Sequence, residues 1–165
     1  MRVASKPLTA WLAIVFWAFA GTSTAQVQAE TDHAPVVFVC KHGNVKSLIA
    51  SSLFNKAARE RGLPFRSVSR GVTPEASVPP KIAEALRNYG VEVAGYKPKR
   101  LSALDVSGAE RTIAIGVGLT NFSAGKPVEV WSDIPPASVD FSASRTALLR
   151  HIDVLLDELT MAQRP

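Results

Sequence analysis

One cysteine stands in this chain of 165 residues, and the residues best placed to act on it are its neighbours. Cys40 closes the apolar run Val36-Val37-Phe38-Val39. A short polar loop follows, Lys41-His42-Gly43-Asn44-Val45-Lys46-Ser47, and an amphipathic stretch begins near Ser47. The order strand, thiol, tight loop, helix N-terminus gathers backbone N–H groups and the positive end of a helix dipole around one sulfur. Such a place attracts an anion. The same field favours the thiolate, the nucleophilic form of cysteine. The competing reading is a buried cysteine that ends a core strand and reacts with nothing.

The loop residues can each be assigned a physical task. Gly43 permits the positive φ or close backbone approach that an anion nest requires. Asn44 can hold the loop's shape through side-chain-to-backbone bonds. Val45 leads into the helix. Ser47 is placed to donate its hydroxyl to Cys40, and it can equally cap the helix. Lys41 and His42 add positive potential, or else they face solvent.

These residues need a scaffold, and the rest of the chain alternates. Val36 to Val39 reads as a strand buried on both faces. Leu48, Ile49, Leu53, Phe54 and Ala57 form one face of a helix from Ser47 to Arg61, and Gly62 stops it. Phe65 to Ser69 alternates like a strand. Pro79-Pro80 opens a helix with Ile82, Ala85, Leu86 and Tyr89 on one face, closed by Gly90. Thr112 to Ile115 and Val128 to Trp131 read as two more strands. Leu148, Leu149, Ile152, Leu155, Leu156 and Leu159 mark a C-terminal helix. Strands alternating with helices imply an α/β domain: a four-stranded parallel sheet between helical layers on both faces. In such sheets ligands bind at the carboxyl ends of the strands, where Cys40 lies. The stretch from Gly116 to Pro136 is rich in Gly and Pro and can border that site.

The N-terminus reads differently. Arg2 and Lys6 precede the apolar segment Trp11 to Ala20, and small residues follow through Ala25. This is the pattern of a secretory signal peptide over residues 1–25, cut after Ala25 or after Ala29. An uncleaved anchor is the alternative, although Leu8 to Ala20 is short for a membrane span. A polar leader over 26–34 and one domain over 35–161 then remain, expected in the periplasm or outside the cell with no stable membrane anchor. In an oxidising compartment a lone cysteine has no internal disulfide partner. The formal net charge is +5, without the basic clusters of a nucleic-acid binder. His33, His42 and His151 lack the spacing of a zinc site, so no metal is expected.

The segment Val36 to Ser47 resembles the phosphate loop of the low-molecular-weight protein tyrosine phosphatases, a family that also contains arsenate reductases. Ser69-Arg70-Gly71-Val72-Thr73, the helix from Pro80 to Gly90 with Val91, and the segment Trp131 to Ser138 resemble further family landmarks. The resemblance covers roughly Pro35 to Leu159. It implies a flavodoxin-like fold, Cys40 as nucleophile toward phosphorus or arsenic, residues 41–47 as the oxyanion cradle, and no cofactor. Phosphate, arsenate, or a phosphorylated small molecule or protein would be the partner.

The chain departs from the family at two places. Lys46 stands where the family has arginine, and an ammonium cannot supply the planar two-point grip of a guanidinium. Pro135-Pro136 stands where the family has its general acid, Asp-Pro. Asp133 is the nearest carboxylate, either as a displaced acid or as a turn residue before Pro135. Arg70, expected to end the second strand, either compensates for the missing arginine or is a surface residue. Three functions follow: a weak cysteine-dependent phosphomonoesterase, a non-catalytic oxyanion- or partner-binding module, and an arsenate reductase. The last needs an external thiol, because no second cysteine exists to resolve an adduct.

Overall fold

The computed structural model describes residues 33–120, 122 and 127–164. The expected signal peptide and nearly all of the leader lie outside them. Among the described residues eight elements follow one another: β1 (Val36–Cys40), α1 (Lys46–Glu60), β2 (Ser67–Gly71), α2 (Pro80–Asn88), α3 (Ala103–Ser107), β3 (Arg111–Ile115), β4 (Val128–Trp131) and α4 (Phe141–Ala162). The four strands form one sheet in the order β2-β1-β3-β4, all parallel. The chain leaves β1 toward β2 on one side and returns to add β3 on the other. The carboxyl end of β1 is therefore the topological switch point, and Cys40 is its last residue.

Period-two alternation divides the core. Val36, Phe38, Ile113 and Ile115 point to one face, where α1, α2 and α4 cover them with Leu48, Ile49, Phe54, Ile82, Leu86, Leu148, Ile152 and Leu156. Phe38 packs edge-on to Phe54, and its ring centroid lies 5.5 Å from that of Trp131. Val37, Val39 and Ala114 point the other way, against Leu101, Val106 and Ala109. Each large side chain fully removed from water contributes roughly 1.5–3 kcal/mol, so the first face dominates the fold's stability. The expected layers are present, but unequally: three helices cover one face, while a five-residue helix and its flanking loops cover the other.

Local signals explain most element ends. Pro80 opens α2, where its missing N–H costs nothing. Gly62 and Gly90, at φ +65° and +73°, follow α1 and α2 in the left-handed conformation that ends helices. Asp140 caps α4 by accepting from the Ala143 N–H at 2.8 Å. One strand differs from the sequence expectation. β2 runs Ser67–Gly71, two residues later than Phe65 to Ser69. Its inward side chains are Ser67 and Ser69. Ser67 Oγ donates to the Ser51 carbonyl and lies 3.1 Å from Ser51 Oγ and Asn55 Oδ1. This strand keeps the parity of the buried Phe65, but the groups it buries toward α1 are polar.

Candidate active site

Cys40 pairs in register with Gly71, so the loops after β1 and β2 leave the sheet side by side. The second loop holds the first by its carbonyls. Val72 N–H donates to the Cys40 carbonyl (3.1 Å), Thr73 N–H to that of Lys41 (2.8 Å) and Glu75 N–H to that of His42 (3.2 Å). The Gly43 carbonyl accepts from Tyr96 Oη at 2.9 Å and lies 3.3 Å from Ser69 Oγ. In a trans peptide, C=O and the following N–H point in opposite directions. Four carbonyls pinned outward therefore turn the N–H groups of Lys41, His42, Gly43 and Asn44 inward. Gly43 N–H donates to Cys40 Sγ at 3.3 Å, as that geometry requires. Gly43 itself sits at φ +72°, and a Cβ there would come within 2.8 Å of the Gly71 nitrogen. Only glycine allows this approach.

The sulfur meets a hydroxyl chain on its other side. Cys40 Sγ lies 3.0 Å from Ser47 Oγ, which accepts from Ser69 Oγ at 2.9 Å. Ser47 and Asn44 are fully buried. Ser47 makes no capping bond; the residue at the helix N-cap is Val45. Asn44 Nδ2 donates to Glu75 Oε2 (2.6 Å) and to the Ser77 carbonyl (2.8 Å). It holds the loop by gripping the neighbouring loop rather than its own backbone. Burial pushes the Tyr96 phenol above its ordinary pKa, against weaker lowering from Ser69 and Arg70. It therefore stays a donor to the Gly43 carbonyl through the neutral range.

A cleft of about 250 Å³ opens over the thiol, lined by Cys40, Lys41, His42, Asn44, Val45, Lys46, Ile115, Gly116, Pro136, Ala137 and Ser138. The loops after β1, β3 and β4 thus all contribute, and the Gly116 to Pro136 stretch borders the site at both its ends. Lys46 Nζ donates to the Ile134 carbonyl at 2.7 Å, which ties the start of α1 to the loop after β4. Gly116 leaves room for that ammonium: a Cβ there would lie 3.4 Å from Nζ.

Two expected participants are elsewhere. Arg70 follows the opposite parity from Ser69. Its Nε and Nη2 bond Asp105 of α3 at 2.9 and 2.8 Å, and its Nη1 donates to the Ser69 carbonyl. Because β2 starts two residues late, Arg70 is not the strand's end and does not line the cleft over Cys40. It lines a separate cavity of about 700 Å³ beside β2, behind the loop. Its carboxylate partner Asp105 is lowered in pKa: burial acts to raise it, but hydrogen bonds from Arg70 and Ser102 outweigh that. Asp133 does not line the cleft either. It accepts from Arg150 Nη2 and sits 2.8 Å from His151 Nε2, and His151 stacks on Trp131. The His151 hydrogen bond, helped by the charges of His151 and Arg150, holds Asp133 below the usual carboxylate range. A carboxylate so held keeps no proton to give near neutrality. The acid role expected of Asp133 finds no support in this arrangement.

Sequence reading missed Ser69, Glu75 and Tyr96. Ser69 was available as the strand neighbour of the cysteine loop, next to the more conspicuous Arg70. Glu75 and Tyr96 lie in loops with no local pattern to single them out.

Comparison with known proteins fits this geometry. A family model described as low molecular weight phosphotyrosine protein phosphatase matches residues 35–119. No curated protein matches. Among solved structures, YfkJ from Bacillus subtilis superposes with a TM-score of 0.70 at 17% identity, over 80% of this chain and 98% of that one. The thioredoxin-dependent arsenate reductase Cg_ArsC1' from Corynebacterium glutamicum gives 0.65 at 24% identity, over 81% and 65%. The low molecular weight protein tyrosine phosphatase from T. tengcongensis gives 0.61 at 24%, over 75% and 98%. The structures speak for the fold, and the family model, which spans the cysteine loop and three of the four strands, places the chain in the low molecular weight phosphotyrosine protein phosphatase family.

Proposed function

We propose that this protein is a slow cysteine-dependent phosphomonoesterase acting on aryl phosphates of the phosphotyrosine type. The observation that carries this reading is the loop after Cys40, whose carbonyls from Cys40 to Gly43 are bonded outward and whose Gly43 N–H donates to Cys40 Sγ. That loop suits three equatorial oxygens of a phosphoryl group in front of a thiolate. Cys40 attacks phosphorus, the ester oxygen leaves, and water then hydrolyses the phosphocysteine. Lys46 adds charge without a two-point grip, which makes turnover slow.

The leaving group has a place beside the cleft. An apolar groove of about 730 Å³ shares Val45, Ala137 and Ser138 with it and continues over Pro79, Pro80, Ile82, Val139 and Phe141. An aromatic leaving group suits this groove better than a short polar one. A phenolate also demands less proton assistance than an alkoxide. We further infer that the work is done after export, on the strength of the segment from Arg2 to Ala25.

The test is p-nitrophenyl phosphate hydrolysis by the mature chain and by Cys40→Ser. Parent turnover that vanishes in Cys40→Ser supports the reading. Turnover that survives Cys40→Ser overturns it. Arsenate-dependent oxidation of an added thiol, with no phosphate ester hydrolysed, would favour the arsenate reductase reading instead.

A further inference from the structure

We propose that His42, oriented by Glu75, is the proton-transferring residue of this site, in place of the family's aspartate. The inference rests on the phosphomonoesterase reading above and names the group that reading lacks. Besides Cys40, the ionisable residues that line the cleft among the described residues are Lys41, His42 and Lys46. Lysine as a residue type holds its proton well above neutral pH, whereas imidazole gives and takes one near it. Lys46 is in addition committed to the Ile134 carbonyl. Histidine is thus the cleft residue suited to the task.

Glu75 fixes the ring. His42 Nδ1 lies 2.9 Å from Glu75 Oε1, with the side chains 41% and 51% exposed. The other carboxylate oxygen is bound by Asn44 Nδ2 at 2.6 Å, and Glu75 N–H donates to the His42 carbonyl. A carboxylate bound at both oxygens, on a backbone tied to the loop it faces, has one orientation to offer. Binding Nδ1 sets the tautomer and leaves Nε2 as the nitrogen that exchanges a proton.

The steps balance. The Cys40 thiolate forms the S–P bond as the P–O bond to the leaving group breaks. The imidazolium Nε2 passes its proton to the departing oxygen, giving the phenol and neutral His42. In the second step neutral His42 takes a proton from water as its oxygen attacks phosphorus. The S–P bond breaks, the thiolate returns, and hydrogen phosphate leaves with the imidazolium restored. No oxidant, reductant or metal enters.

Leaving-group dependence isolates the role. A general acid contributes roughly 10²–10⁴-fold, most for poor leaving groups. The quantity to measure is the ratio of kcat/KM for p-nitrophenyl phosphate to that for phenyl phosphate. His42→Asn keeps an N–H donor where Nδ1 stood, so the tie to Glu75 survives while the titrating proton is lost. The ratio is expected to rise by about 10²-fold or more in His42→Asn, and by less in Glu75→Gln. Retained phosphate protection of Cys40 against alkylation in both variants keeps loop folding separate from chemistry. A ratio unchanged from the parent in both variants overturns the dyad while leaving the phosphomonoesterase reading intact. A parent without Cys40-dependent turnover of p-nitrophenyl phosphate overturns both.

Discussion

At the scale of single residues, the site is defined by what stands at position 46. Lys46 puts one ammonium at the cleft wall, anchored 2.7 Å from the Ile134 carbonyl. A point charge on a flexible stem neutralises an oxyanion but cannot bond two of its oxygens in a plane. Removing one well-placed transition-state donor costs roughly 10²–10³ in rate, so restoring one should recover part of that. Lys46→Arg is expected to raise kcat/KM for p-nitrophenyl phosphate by about 10-fold or more, mainly through kcat. A variant no faster than the parent would show that lysine is not what limits the site. This substitution was legible in the sequence, as was the placement of Cys40, because both lie inside one continuous motif. The fate of Asp133 was not. Its distance from Trp131 is only two residues, but its partners are Arg150 and His151, two successive residues that only the docking of α4 brings near.

At the scale of elements, the strands and helices with an apolar period of their own were legible, and those governed by a neighbour were not. β1, α1, α2, β3 and α4 each carry enough buried apolar residues to declare themselves, and β4 shows through its β-type residues although only Trp131 of it is buried. α3 is five residues long with one buried side chain, Val106, and its only signal is the capping box from Ser102 to Asp105. β2 was displaced because it faces α1 with serines, and burial of hydrogen-bonded serines leaves no apolar alternation to read. The end of β2 is where the scaffold sets the site. Gly71 is wedged between the cysteine loop and the 99–101 segment, taking hydrogen bonds with Lys99 and Leu101 on its outer side. A Cβ on Gly71 would meet the Gly43 nitrogen and the His42 carbonyl carbon at 2.8 Å, both of them backbone. Backbone cannot step aside as a side chain can. Gly71→Ala is expected to lower stability by about 1–3 kcal/mol in urea unfolding and to abolish phosphate protection of Cys40. Gly62→Ala is the comparison. Nothing lies within 4 Å of a Cβ there, but φ is +65°. It should cost about 1 kcal/mol and leave phosphate protection unchanged. Equal loss of protection in both would show that general loosening, not loop displacement, is the cause.

At the scale of the whole molecule, parallel strands bring every loop that matters to one edge of the sheet. The cleft takes residues from the loops after β1, β3 and β4, and the loop after β2 holds the first of these by its carbonyls. No single segment of the chain contains the site, so an anion in the cleft must stabilise the domain as a unit. Linkage sets the size: a ligand at 100 times its Kd adds about 2.7 kcal/mol to a fold that binds it only when native. The chain also has a single thiol, so any thiol reagent reports on this cleft alone. Cys40 is largely buried at its base, reached only past the loop. Phosphate and arsenate are therefore expected to do two things together. Each should raise the Tm of the protein in a concentration-dependent way, and each should slow the formation of the one iodoacetamide adduct over the same concentration range. Chloride at matched ionic strength should do neither, since general screening acts on exposed charges and not on a loop of inward N–H groups. A rise in Tm without protection of the thiol would place the anion elsewhere on the molecule. Protection without a rise in Tm would show that the anion shields the thiol without preferring the folded domain, which linkage does not allow for a site that exists only in the native cleft. Neither effect at saturating phosphate would remove the oxyanion site, and with it the reason for a thiol at the switch point of the sheet.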